Sequence, residues 1–180
     1  TQPGSDRPVS FDPCREIRYV VNPAGAPPDH EALVEQAVAQ VSRATGFRFT
    51  YAGVTDERDF EDRGVSGFRA TPVLIGWATP EEVPALAGDV AGLGGSSAVE
   101  RIPGHLTYVT GKVVLDRDYF AEAAGRPQGF ELERAIVMHE LAHVVGLDHV
   151  EDPNELMYAE GVGRASFGRG DLEGLALLGA

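Results

Sequence analysis

The 180-residue sequence predicts a fold of mixed α and β class, α+β or α/β. Stretches with the two-residue period of strands alternate with stretches of helical three-to-four spacing, and clusters of glycine and proline separate them. A run near the C-terminus adds three histidines to helical spacing. The length suffices to bury one core, and no internal repeat or low-complexity segment divides it. Residues 1–180 are therefore expected to form a single domain. Residues 1–14, polar and containing prolines, are expected to form a flexible or extended N-terminal segment.

Residues 16–21 (EIRYVV) are rich in strand formers, and NPAGAPPD breaks the run. A helix is expected over 29–45, where Leu33, Ala37, Val38 and Val41 recur on one face and Gly46 supplies a stop. Phe47, Phe49 and Tyr51 alternate with Arg48 and Thr50, the period of a half-buried strand. TPVLIGWAT (71–79) is apolar throughout and reads as a central strand. Residues 90–99 (VAGLGGSSAV) have adjacent glycines that suit an edge strand, and 108–116 (YVTGKVVLD) form a stronger one. After GRPQG, residues 130–145 carry Leu132, Ile136, Val137, Leu141 and Val144 at helical spacing, and a last helix is expected over 170–178 with Asp171 near its start. The order is strand, helix, three or four strands, helix, helix.

The net charge of −13 opposes binding to a nucleic-acid backbone or an anionic membrane surface, and no apolar stretch approaches the length of a membrane span. No signal peptide opens the chain, yet its polar, proline-containing start resembles that of a trimmed protein, so secretion is expected with the export signal already removed. The default oligomeric state is a monomer. The lone Cys14 is expected as a small buried residue rather than a thiolate plug on a metal. Asp56, Glu57, Asp59, Glu61 and Asp62 could contribute to a Ca2+ site, but their interleaving with Arg58 and Arg63 fits a solvated loop better.

HELAHVVGLDH, residues 139–149, carries the chemistry. His139 and His143 are four residues apart, so on a helix both imidazoles project from one face toward a common ion. Gly146 can adopt the positive φ that ends a helix, which lets the chain reverse and bring back His149 as a third ligand. Three neutral imidazoles leave the fourth tetrahedral position open, the arrangement of catalytic rather than structural zinc. Glu140 adjoins the first ligand and is the expected general base. His30 and His105, at a helix start and in a Pro-Gly turn, are expected to be solvent-exposed and metal-free.

The string H-E-x-x-H-x-x-G-x-x-H resembles the metzincin zinc-protease signature, and Met157 resembles its Met-turn. GLDHVEDPNELMY and SFGRGDLEGLALLG are similar to the matrixin branch, the matrix metalloproteinases and their bacterial relatives. The resemblance is strong over about 130–178. It implies a twisted, mixed but mostly parallel five-stranded sheet with three helices and a zinc cleft between the active-site helix and the edge strand. It also implies an extended peptide substrate paired with residues 90–99, where Gly94 and Gly95 would allow close approach. Tyr158 to Phe167 would wall the pocket for the residue after the scissile bond.

Three departures limit the carry-over. Val150 stands where animal matrixins usually have serine, no cysteine-switch propeptide is present, and only His105 is available for their structural zinc site. The residues thus lead to one catalytic Zn2+ and a protein or peptide substrate cut by an endopeptidase. A noncatalytic zinc-binding module and a specialised peptide or cell-wall amide hydrolase stand as alternatives.

Overall fold

All six residues of Val73–Ala78 are buried, and they form the strand in the middle of the sheet. The computed structural model describes residues 1–61, 63–66, 69–161 and 163–180. Its strands are β1 (Ile17–Asn22), β2 (Phe49–Val54), β3 (Val65–Ser66), β4 (Arg69–Ala70), β5 (Val73–Ala78), β6 (Gly92–Ile102) and β7 (His105–Asp116). Five of them make one mixed sheet in the order β2-β1-β5-β7-β6, and β3 and β4 make a separate short hairpin. Neighbours are parallel except β6, which runs antiparallel to β7 at the edge. The edge position expected for the glycine-containing strand is therefore observed.

Among the described residues there are four α-helices where the resemblance implied three: α1 (His30–Thr45), α2 (Arg117–Ala123), α3 (Gly129–Val145) and α4 (Arg169–Leu178). The additional one, α2, is only seven residues long and begins where Asp116 Oδ1 accepts the Tyr119 N–H at 2.7 Å. Too short to show a helical period, it gave no sequence signal. No described helix is long and apolar enough to cross a membrane.

The alternation of β5 explains why both its faces are apolar. Val73, Ile75 and Trp77 join the principal core with α1 and α3, while Leu74 and Ala78 meet Phe60, Val83, Leu86 and Val114 on the other face. Helix α1 buries Leu33, Val34, Ala37, Val38 and Val41 and ends at Gly46 with φ of 78°.

The charged segment 55–64 exposes Asp56, Glu57, Asp59 and Glu61 as its composition suggested, but residues between them pin it to the sheet. Phe60 is buried over Gly76, where an added Cβ would lie 2.9 Å from its ring. Arg63 is buried, pairs with Glu57 and donates to the Pro72 carbonyl, and Arg58 donates to Glu82 at 2.8 Å and to the Trp77 carbonyl at 2.9 Å. One aromatic anchor and two arginines tie the segment across the sheet. Asp62 lies outside the described residues.

The N-terminal segment turns at residues 3–6 and is anchored to the sheet beyond them. Val9 and Phe11 are buried, Phe11 bridges Tyr108, and the buried Gln2 side chain clamps Leu106. Its Nε2 donates to the Leu106 carbonyl at 2.8 Å and its Oε1 accepts the Leu106 N–H at 2.7 Å, reproducing a strand pairing with one amide. Gln2→Ala is expected to cost about 1–2 kcal/mol, read as a lower urea midpoint with unchanged slope. Cys14, expected to be buried, is exposed, because the anchors are Phe11 and Ile17 on either side of the turn it occupies. His30 is half-buried against the Trp77 ring rather than free in solvent, and His105 is exposed.

Candidate metal centre

Helix α3 is the buried helix of the fold, with twelve of its residues buried, from Gly129 to Val145. Its last turns carry His139, Glu140 and His143. Gly146 ends it with φ of 112°, and an added Cβ there would also lie 3.0 Å from the Val9 carbonyl oxygen, so glycine is required twice over. The chain then reverses and returns His149. The three Nε2 atoms stand 3.0, 3.1 and 3.2 Å apart, and this is the one group of three or more possible ligands found among the described residues.

The ring orientations fit a metal. His139 Nδ1 faces the Leu156 carbonyl at 2.8 Å and His143 Nδ1 faces the Leu147 carbonyl at 2.8 Å. A carbonyl only accepts, so each Nδ1 carries the proton and each Nε2 keeps its lone pair. Two such lone pairs facing each other at 3.2 Å repel unless a cation lies between them. Tetrahedral zinc bound at about 2.0–2.1 Å sets its nitrogens roughly 3.3 Å apart, close to the spacing observed. Burial pushes the His139 imidazole down to about 4 and lowers that of His143 as well, so both rings are neutral near pH 7.

Glu140 is buried against the edge strand, and burial pushes its carboxyl up to about 8, against the lowering effect of the Gly94 N–H. A dication among the adjacent rings acts in the opposite direction.

Behind the histidines, residues 150–158 form a loop closed by the bridge between Val150 and Tyr158. Leu156 and Met157 are fully buried within it. Two carboxylates clasp this loop to α4. Asp171 accepts the N–H of Leu156 at 2.6 Å and of Met157 at 3.4 Å, with that of Gly168 at 2.9 Å, and Glu155 accepts those of Gly170 and Asp171 at 2.9 and 2.8 Å. Asp171 was legible as a helix-start residue. Its reach to Leu156, and the role of Glu155, were not, because these contacts span 15 and 16 residues.

A cleft of about 560 Å³ opens at the histidines, and Gly94 and Tyr158 both line it. Gly95 points away from Gly94 by strand alternation, and the space beyond it is open. Tyr119 of α2 lines the cleft as well, with Leu132 and Ile136 of α3, whose helical spacing was legible but whose place in the cleft was not. The wall expected from Tyr158 to Phe167 is shorter, reaching Gly161. Phe167 instead lines a separate groove with Met138 and Leu172, and Val162 lies outside the described residues.

The buried helix with three converging imidazoles and an adjacent carboxylate, under the antiparallel edge of a mixed sheet, is the zinc metalloprotease fold of metzincin type. The chain belongs to the matrixin family, whose model matches residues 19–167. Among solved structures it is similar to archaemetzincin from Methanopyrus kandleri, at 18% identity and a TM-score of 0.53, covering 89% of this chain and 92% of that one. At that identity the likeness is one of fold. No curated protein was found to match the chain.

Proposed function

We propose that the protein is a zinc-dependent endopeptidase in which His139, His143 and His149 hold one ion and Glu140 is the general base. The observation that carries this reading is the convergence of three Nε2 atoms, two with their tautomer set by backbone carbonyls, beside a buried carboxylate in an open cleft. Zinc bound there supplies Lewis acidity toward water and toward a peptide carbonyl. Glu140 takes a proton from the attacking water on its carboxylate and returns it to the departing amine nitrogen. The free edge of β6 pairs with an extended substrate, and Ile136 and Tyr158 line space for a side chain next to the cut bond. Met157 is fully buried within the loop whose Leu156 carbonyl holds His139.

A noncatalytic zinc-binding module would need the three rings and not Glu140. The close seating of that residue against β6 favours the enzyme. The test is metal analysis of the purified protein together with digestion of a broad peptide library. About one zinc per chain is expected, with internal cleavage that a chelator abolishes and added zinc restores. Cleavage that survives complete removal of the metal would sink the reading, and zinc binding without cleavage would favour the module.

A further inference from the structure

The edge strand facing Glu140 reads Gly92-Leu93-Gly94, and its two glycines point at α3 from one face of the sheet. Neither has a positive φ, so conformational freedom does not explain them. Glycine inside a strand weakens it and marks close approach of another group. Here that group is Glu140.

A Cβ on Gly94 would lie 2.1 Å from the Glu140 carbonyl oxygen, 2.7 Å from its carbonyl carbon and 2.9 Å from its Cα. These are helix backbone atoms and cannot move aside singly. A Cβ on Gly92 would instead meet the side chain, at 2.9 Å from Cγ and 3.2 Å from both Cδ and Oε1. One glycine admits the helix and the other admits the acid.

We propose that Gly92 and Gly94 form a slot in the edge strand that seats Glu140 and fixes where its carboxylate stands beside the three histidines. They are positioning residues for proton transfer, a role that rests on the peptidase reading above. It also changes the meaning of Gly94, whose missing side chain accommodates the helix rather than the substrate.

Gly92→Ala is the discriminating variant. Its methyl must displace the Glu140 side chain by roughly 0.5–1 Å to reach ordinary contact distance. A shift of that size is expected to lower kcat by roughly 10–100-fold, with KM within about twofold of wild type and zinc content unchanged. In a Glu140→Ala background the obstructing Cγ is gone. There, Gly92→Ala should leave both the urea midpoint and the affinity for an uncleaved library peptide unchanged, even if it destabilises the otherwise wild-type protein. Crystal structures of wild type and Gly92→Ala should show the carboxylate displaced.

A carboxylate that keeps its wild-type position in the Gly92→Ala crystal structure would overturn the slot. So would weaker peptide binding caused by Gly92→Ala in the Glu140→Ala background, which would make the glycine a substrate contact. Absence of cleavage by wild type would defeat the peptidase reading, while the crystallographic comparison would still decide the slot.

Discussion

Glu140→Ala is expected to retain about one zinc per chain and to cleave library peptides at least roughly 100-fold more slowly than wild type, as loss of a general base requires. The two effects separate because the bonds that orient His139 and His143 run to the Leu156 and Leu147 carbonyls and none involves Glu140. Peptide affinity should change little, so the loss falls on kcat rather than KM. The metal-free protein gives an independent check. With its folded pKa raised to about 8 from an ordinary 4.5, the Glu140 carboxyl favours the protonated form in the fold. Its contribution to stability is therefore lost as pH rises from about 4.5 to 8. Removing the carboxyl should make metal-free Glu140→Ala lose less stability than wild type over that window. Cleavage by the variant at the wild-type rate would end the assignment of Glu140 as base.

The metal-binding half of the site was legible because its determinants are local. His139, Glu140 and His143 share one helical turn, Gly146 needs only a left-handed turn, and His149 follows three residues later. What the sequence concealed depends on contacts between distant elements. Phe60 and Arg63 look like parts of a charged loop until Gly76 and Pro72 are placed beneath them. Gly94, which with Gly95 reads as room for a substrate, is also seen to lie against the Glu140 backbone once α3 is laid against β6. The acidic composition likewise hid Glu155, which receives the amides of Gly170 and Asp171, and the reach of Asp171 beyond its helix start to Leu156. Local spacing thus specified the metal chemistry, and packing specified how its parts are held.

Asp171→Ala tests that second level and is expected to be the most damaging change outside the histidines and Glu140. Its carboxylate accepts three backbone N–H groups, from Leu156, Met157 and Gly168, and it is almost wholly buried. Truncation leaves those donors without partners in a site where water has little access. At roughly 1–3 kcal/mol for each unsatisfied group, offset by partial relaxation and by relief of the Asp171 desolvation, the net loss should be about 3–5 kcal/mol. The effect should also reach the metal. Leu156 is the residue whose N–H Asp171 holds and whose carbonyl orients His139, so loosening the loop loosens a ligand. Loss of such an outer partner lowers metal affinity by roughly 10–100-fold. Competition with a chromophoric chelator measures that affinity, and urea unfolding of the metal-free protein measures stability separately. Asp171→Asn keeps one acceptor oxygen and should fall between wild type and alanine in both. A destabilised Asp171→Ala protein with wild-type zinc affinity would show that His139 is held by α3 alone and that the Leu156 carbonyl adds nothing to the metal centre.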